Sequence, residues 1–519
     1  MKMKYIDAKA KGIKAIEYKD LNKYYQNNYF KFIDHQGRVA IAVTKECKLK
    51  FDQEKVFYIN KEDFVEILER DFAEENTNWA INYLSDKSPK ASAKNVSYIK
   101  ALTGFSIMFA GFLMLFINLF NIINNVAYLT QNLLKAILFN RSLVEKETSP
   151  AASLSDDLPV YSVLIPLYRE EFKVKAILRA MDKMNYPKNK LDVKLIIEND
   201  DVLTKRTIAV NNIPNYVQII KVPFSLPRTK PKALNYAVSF IKGKYVTIYD
   251  AEDIPDPDQL LKAVYAFRTL PENYACVQAK LNFYNKNENL LTRFFSIEYS
   301  VWFEYLLRGL SLLDLPVTLG GTSNHFKVSK LTEVGYWDPY NVTEDADLGI
   351  RLYMKGYKVH LINSTTMEEA PTDIFTWIAQ RARWIKGFIQ TLFVFIKMKK
   401  NYKRFGILKI ASVYVFVGLS TYSFFCLPWL FIVFMLDINR NIYYLWMINS
   451  LFSFSYMYAI AYLVIKSNKG NKRLSIKDYL IIIIWPAYFI LHTIACYRAF
   501  WETIRSPFKW NKTPHGIKM

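Results

Sequence analysis

The sequence predicts an α/β body with a mostly parallel sheet, set between apolar helices long enough to cross a bilayer and preceded by a small α+β unit. Four apolar runs, at residues 101–123, 410–436, 443–465 and 479–500, approach or exceed the ~20 residues that a spanning helix needs, and none shows the charged face of a soluble helix. Continuous apolar strands alternate with helical patterns over residues 150–395. Acidic clusters follow directly after the strands, where ligands bind in sheets of this kind.

In chain order, residues 1–95 mix lysines, acids and aromatics, with alternating stretches such as 39–43 that read as short strands. They predict a small separate cytosolic domain with no catalytic site. Its first 19 residues are polar and lysine-rich, which predicts no signal peptide. Residues 96–140 hold the first apolar run and then a segment, 124–139, interrupted by Gln131, Asn132 and Lys135. That segment either completes a membrane hairpin or lies along the interface. The body, 150–395, reads as strands at 160–167, 193–197 and 245–249 with helical patterns such as 172–184 between them. The other three apolar runs fall in 400–500, with Pro428 and Pro486 as candidate break points and a basic connection, 466–477, that the positive-inside rule assigns to the cytoplasm. A basic tail, 501–519, ends the chain.

A formal charge of +22 suits an anionic partner: nucleic acid, a phospholipid surface or a phosphate-bearing substrate. No helix-turn-helix pattern or zinc-finger spacing supports nucleic acid, and none is expected as a partner. The four cysteines lie far apart, which predicts buried thiols rather than a zinc site or a disulfide framework.

The chemistry-bearing residues fall in order along the body. After the first strand comes Pro166-Leu167-Tyr168-Arg169-Glu170-Glu171, after the second Glu198-Asn199-Asp200-Asp201, and after the third Asp250-Ala251-Glu252-Asp253. Carboxylates packed this closely repel one another unless a cation compensates, and hard oxygen ligands suit Mg²⁺ or Mn²⁺. Further on, Thr343-Glu344-Asp345-Ala346-Asp347 precedes an apolar helical pattern, which is also what an ordinary capped helix start looks like. Gln380-Arg381-Ala382-Arg383-Trp384 sits just before the membrane-type helices, with Trp377 and Lys386 nearby. Arginine suits bidentate phosphate contact, and tryptophan either sugar stacking or interfacial anchoring.

Together these motifs resemble the processive family 2 glycosyltransferases, the group of bacterial cellulose, hyaluronan and poly-N-acetylglucosamine synthases, over about residues 158–390. The resemblance implies a GT-A fold, the Rossmann-like nucleotide-diphospho-sugar transferase fold, inserted between transmembrane helices. It implies that Asp200 or Asp201 contacts the nucleotide base, and that Lys230 of the stretch 230–235 lies near the diphosphate. Asp250 and Glu252 stand for the family's D-x-D metal motif with Glu in place of the second Asp, and Asp253 is an alternative ligand. Thr343-Glu344-Asp345 matches T-E-D, with Asp345 the general base and Glu344 beside it in the catalytic group. Gln380, Arg383 and Trp384 match Q-x-x-R-W, implying contacts to the diphosphate and to the acceptor, and the loop Gly320-Gly321-Thr322-Ser323-Asn324 is similar to the one beside the acceptor. The tail Trp510-Asn511-Lys512-Thr513-Pro514-His515-Gly516 and the added N-terminal region resemble a less characterised bacterial branch.

The expectation is therefore an inverting, metal-dependent hexosyltransferase of the bacterial inner membrane with its catalytic domain in the cytoplasm. Its donor is a UDP-sugar, UDP-glucose or UDP-N-acetylglucosamine first, and its acceptor a glycan or a lipid-linked sugar. A β-linked polysaccharide is the favoured product. Single-sugar transfer to a lipid carrier and a non-catalytic transporter are the alternatives. Tyr422, Phe424, Phe425 and Trp429 are read as either sugar-stacking or packing residues.

Overall fold

The structure, a computed structural model, describes residues 14–33, 38–51, 56–144, 157–398, 405–436, 440–469 and 473–510. Near the N-terminus, β1 (Tyr29–Ile33) pairs antiparallel with β2 (Val39–Val43), and β2 pairs parallel with β3 (Val56–Tyr58). Two helices follow, Lys61–Asp71 and Ala73–Lys87. The first begins where Asn60 accepts from the Asp63 N–H, satisfying a donor that the helix start would leave orphaned. The second buries Asn76 against the α/β body: Nδ2 donates to Tyr236 O at 3.0 Å, and Oδ1 accepts from Ser239 Oγ at 2.7 Å. Phe30, Phe64 and Leu68 belong to the same apolar core as Leu234 and Phe240. The N-terminal unit, expected to stand apart, shares its core with the body.

The body is built on eight strands, β4 (Tyr161–Leu167), β5 (Leu191–Glu198), β6 (Val217–Val222), β7 (Tyr245–Ile248), β8 (Ile254–Pro255), β9 (Tyr274–Phe283), β10 (Asn324–Lys327) and β11 (Lys358–Glu368), in the order β6-β5-β4-β7-β10-β9-β11-β8. β4 and β5 are buried almost throughout because both faces are covered, and β4 is apolar nearly end to end. Helix Val174–Asp182, shorter than the 172–184 pattern, covers them with Val174, Ile177, Leu178 and Met181 at helical spacing.

The sheet is mixed rather than mostly parallel. β4, β5, β6 and β7 run parallel, as do β9 and β11, but β10 is antiparallel to both its neighbours and β8 to β11. β10 runs backwards because the chain enters it beside the end of β7, where the Ser323 N–H donates to Ile248 O at 2.9 Å. Its residues, Asn-His-Phe-Lys, form no apolar run that would announce a strand. The chain passes outward from β4 to β5 to β6 and then returns to lay β7 on the other side of β4. That reversal opens a crevice at the carboxyl ends of β4 and β7.

On the membrane side, helices Tyr98–Leu115 and Ile117–Val144 precede the body. Helix Ile374–Lys397 follows it, and then Ile407–Val413, a π-helical turn Tyr414–Leu419, Ser420–Leu436, Arg440–Lys469 and Ile476–Arg505. Among the described residues, Ile407–Ile432, Met447–Lys469 and Ile476–Arg505 are long and apolar enough to cross a membrane, while Tyr98–Leu113 is apolar but shorter. The run read at 101–123 is not one span, because the backbone leaves the helix at Phe116. The segment 124–139 lies within a 28-residue helix. Its supposed interruptions turn toward other helices, Gln131 Nε2 donating to Ser420 Oγ at 2.8 Å and Asn132 Nδ2 to Ser453 Oγ at 2.5 Å.

Pro428 and Pro486 do not break their helices. Before Pro428 the carbonyls of Ser423 and Phe425 accept from Tyr128 and Tyr497 at 2.7 and 2.8 Å, the kind of neighbouring donor that makes proline tolerable at membrane depth.

Candidate active site

A cavity of about 1360 Å³ opens at the crevice and continues between the membrane-side helices. Its strand-end wall carries Lys230, Asp250, Glu252, Gly321, Thr322, Glu344, Asp345, Gln380, Arg383 and Trp384, so ten of the thirteen residues singled out from sequence meet in one space. Asp200, Asp201 and Asp253 do not line it.

Each of those three has another task. Asp201 caps helix Val202–Val210, its Oδ1 accepting from Thr204 N at 3.2 Å and its Oδ2 from Arg169 N at 2.5 Å. Asp200 is ion-paired with Arg228, whose guanidinium lies over the rings of Tyr168 and Phe224. The cavity wall at the end of β5 is instead Glu198, paired with the buried Lys232 at 2.9 Å. Asp253 is 2 % exposed and closes the turn after β7, its Oδ2 accepting from Asp250 N at 2.8 Å and contacting Thr322 Oγ1.

Lys230 opens helix Lys230–Val238, with Pro231 following it at the start of the helix, where its missing N–H costs nothing. Its Nζ reaches Asp250 Oδ1 at 2.5 Å and Gly321 O at 2.7 Å. Burial works against its charge, but Asp250 and Glu344 outweigh it and hold the amine above its ordinary range. The carboxyls around it are pushed the other way. Asp253 is raised by burial and then by Asp250 and Glu252, and Glu368, at the end of β11, by burial and then by Asp253 and Asp250.

Among the described residues no three His, Cys, Asp or Glu side chains form a ready-made metal cage. The donors do fit a divalent ion whose shell a ligand completes, since Asp250 and Glu252 present hard oxygens to the cavity, the one or two carboxylates that Mg²⁺ ordinarily takes beside phosphates. Asp253 is less well placed for that role: its Oδ2 is committed to the turn and it is off the cavity wall, although its buried Oδ1 has no hydrogen-bond partner.

Asp345 lies in the first turn of helix Glu344–Met354, as its position after Thr343 predicts. Its Oδ1 accepts from the Ala346 N–H at 2.7 Å, while Oδ2 faces Gly321, where a side chain would close to 3.4 Å. The turn is pinned to helix Ile374–Lys397: Gln390 Oε1 accepts from Val342 N at 2.9 Å, and Asn341, which accepts from Thr343 N, donates to Thr391 Oγ1 at 2.9 Å. That helix also carries Gln380, Arg383 and Trp384, so Asp345 and Arg383 share one scaffold. Burial pushes the Asp345 carboxyl up to about 6 against the pull of Lys230 and Arg383. Glu344 is pushed up to about 8, by burial and then by Asp345's charge.

Arg383 faces the cavity with no salt bridge among the described residues; its Nε lacks a partner and its guanidinium lies 5.4 Å from the ring centre of Trp510. Trp510 is the last described residue of the tail signature, whose remainder lies outside the described residues. Lys386 is buried, donating to Lys509 O at 2.8 Å, and so holds residues 508–510 at the cavity wall. Trp377 is wholly buried and packs rather than binds. Of the aromatics read from the membrane runs, Phe424 faces the cavity, whereas Phe425 and Trp429 pack on Phe109 and Tyr422 joins the same cluster.

Sequence reasoning missed Arg228, Glu368 and Glu298 as cavity residues, and named Glu198 only as part of the cluster after the second strand. Glu368 and Glu369 were visible as paired acids before Ala-Pro, but no periodicity connects them to the strand ends.

Residues 245–465 match the family described as glycosyl transferase family group 2. The chain is similar to the probable glycosyltransferase YdaM of Bacillus subtilis (strain 168), 29% identical over 255 residues that make up 47% of this chain and 60% of that protein. It is 26% identical to glucomannan 4-beta-mannosyltransferase 2 of Arabidopsis thaliana over 244 residues, 45% of each chain. The chain thus spans about half the length of these relatives. Among solved structures, a mannosyltransferase of Pyrobaculum calidifontis superposes with a TM-score of 0.49 at 17% identity, covering 74% of this chain and 97% of that one.

Proposed function

We propose that this chain is a membrane-bound inverting glycosyltransferase that transfers a sugar from a nucleotide-diphosphate donor, a UDP-sugar first, to a growing glycan, with a β-linked polysaccharide as product. One observation carries the reading: Asp345, Arg383, Lys230 and Asp250 meet in a single cavity that continues between the membrane-side helices.

Asp345 takes the proton of an acceptor hydroxyl as its oxygen bonds to the anomeric carbon. The bond from that carbon to the diphosphate oxygen breaks on the opposite face, and the nucleotide leaves with the electron pair. The configuration inverts. The hydroxyl becomes acidic only late in such a displacement, so placement of the carboxylate matters more than its basicity. Arg383 and Lys230 stabilise the charge that gathers on the departing diphosphate. Asp250 and Glu252 would hold Mg²⁺ or Mn²⁺, which supplies further neutralisation of the diphosphate. Trp384 and Gln380 border the acceptor, beside Gly321 and Thr322. The continuation of the cavity into a region of amides, hydroxyls and aromatic rings supports a product that leaves through the membrane part.

The test is turnover of UDP-glucose, UDP-N-acetylglucosamine and GDP-mannose, the last because relatives are named mannosyltransferases, by the full chain in nanodiscs with Mg²⁺ or Mn²⁺. Wild type should release nucleotide and build long chains, and Asp345→Asn should lose at least ~100-fold in rate. Short lipid-linked product would replace polymerisation by single-sugar transfer to a lipid carrier. Equal nucleotide release by both proteins would remove Asp345 as base, and a wild type inert toward every donor would favour a non-catalytic transporter.

A further inference from the structure

Helix Ile374–Lys397 carries Trp377, Arg381 and Trp384 at i, i+4 and i+7, on one face. Arg381 is buried between rings. Its guanidinium carbon lies 4.5 Å from the ring centres of both Phe295 and Trp384, and 5.3 Å from that of Trp377. Its charge is met by Glu298, from helix Leu290–Ser300. Glu298 is held in turn from the last helix, Ile476–Arg505: Tyr488 Oη donates to Oε2 at 2.7 Å, and His492 Nε2 lies 3.2 Å from Oε1. The His492 ring is clamped between Phe424 and Phe489, with centres 4.9 and 5.2 Å away. Burial alone would raise the Glu298 carboxyl, but Arg381, His492 and Tyr488 outweigh it and hold it down to about 2, so it is ionised at neutral pH.

Stability alone is a poor reason for such a cluster, because a buried ion pair often does no better than apolar residues of the same volume. Geometry gives a better one. A guanidinium is a flat plate that stacks on an aromatic face, which an ammonium cannot imitate. The ring it covers belongs to Trp384, which is half-buried with the cavity on its open side.

We propose that Arg381 is a positioning residue: with Glu298, Tyr488 and His492 it fixes the plane of Trp384 against the acceptor sugar, and so ties the last membrane-side helix to the acceptor platform. This rests on the glycosyltransferase reading above. Arg381 acts through Trp384 and touches neither the donor nor the reacting carbon.

The experiment compares wild type, Arg381→Lys and Tyr488→Phe in nanodiscs, using whichever donor of the panel wild type turns over and a β-linked trisaccharide of the transferred sugar as acceptor. Lysine keeps the charge that Glu298 needs and loses the plate. Arg381→Lys should raise the KM for the trisaccharide about tenfold and shorten the product, while donor KM and kcat at saturating acceptor stay within about twofold. Tyr488→Phe should move the same parameter in the same direction by a smaller factor. An unchanged acceptor KM, or equal losses in donor and acceptor parameters, would overturn the proposal. If Arg381→Lys does not fold, Tyr488→Phe decides: a selective rise in acceptor KM supports the tie and none overturns it. Failure of wild type to turn over any donor would sink the glycosyltransferase reading and this one with it, whereas an active wild type with unmoved acceptor parameters sinks this one alone.

Discussion

At the strand ends the cavity wall sets Asp250, Glu252, Glu344 and Asp345 against Lys230 and Arg383, whereas between the membrane-side helices it is lined by Asn125, Gln131, Asn132, Ser420, Asn449 and Ser453. In the first set Glu344 is pushed up by burial and then by Asp345, while Asp250 and Glu344 hold Lys230 charged. The second is mostly neutral amides and hydroxyls that bond crosswise, Gln131 with Ser420 and Ser423, Asn132 with Ser453, and Asn449 with Asn125, with Lys135 as a charged group one turn beyond Gln131 on the same helix. Departure of a diphosphate from an anomeric carbon, the step proposed here, needs fixed charge, which a site fed from water can maintain. A wall at membrane depth presents donors and acceptors chiefly through uncharged groups, because charges there are costly.

The largest break in that contrast should come from removing a charge at the strand ends. Lys230→Met deletes the cation that compensates Asp250 and Glu344 and that faces the departing diphosphate in the proposed reaction. Turnover should fall about 10²–10³-fold, the loss typical of one transition-state contact. Steady-state nucleotide release at saturating donor checks this, and a loss under threefold would remove Lys230 from the reaction.

Next in size is a substitution that leaves every charge in place. Gly387 lies where helix Ile374–Lys397 crosses the turn before Asp345, and a Cβ there would sit 2.1 Å from Thr343 Oγ1 and 2.4 Å from its methyl carbon. Gly387→Ala must push the helix off the turn, and overpacking of this kind costs roughly 1–3 kcal/mol. Asp345, the proposed base, would shift relative to Arg383. Thermal unfolding in detergent should fall while turnover falls with it, and an unaffected rate would show that the turn tolerates the shift.

The pH profile gives a third, smaller effect. Burial raises the Asp345 carboxyl to about 6, so its protonated form is favoured below that pH, and a general base works only when ionised. Turnover should therefore rise with pH up to about 6 and level off above it, falling about tenfold for each unit below. Glu344, pushed up to about 8, stays protonated across most of the rise and adds no second limb there. A flat profile from pH 5 to 8 would show that no buried carboxylate limits the rate.

How much of this the sequence disclosed follows the same division. The strand-end charges were legible because each follows an apolar strand or opens a helix, and a strand end fixes direction as well as position. Asp200 and Asp201 mark the limit. Both follow β5, but whether an Asp after a strand caps the next helix, as Asp201 does, or faces a ligand depends on a local turn that spacing does not encode. β10 was illegible because Asn324–Lys327 has no pattern until β7 and β9 flank it. The membrane-side wall was only partly legible for a physical reason: Gln131 and Asn132 break an apolar run in the sequence, and only the neighbouring helices show that they point inward.

The smallest expected effect tests the amides of that wall. Gln131 bridges two residues of another helix, its Nε2 donating to Ser420 Oγ at 2.8 Å and its Oε1 accepting from Ser423 Oγ at 2.9 Å. Interhelical hydrogen bonds of this type average only about 0.6 kcal/mol in a membrane protein, because the separated helices find other partners. Gln131→Leu should therefore leave the unfolding temperature nearly unchanged and the release of nucleotide within about twofold. If the wall conducts the glycan, replacing an amide by an isobutyl group at the cavity face removes a partner for sugar hydroxyls, and product length should shorten while initial rate does not. Sizing of radiolabelled product against time separates the two. Unshortened chains would mean that the amides serve only to hold the helices together, and the contrast between the two ends would then be one of packing rather than of task.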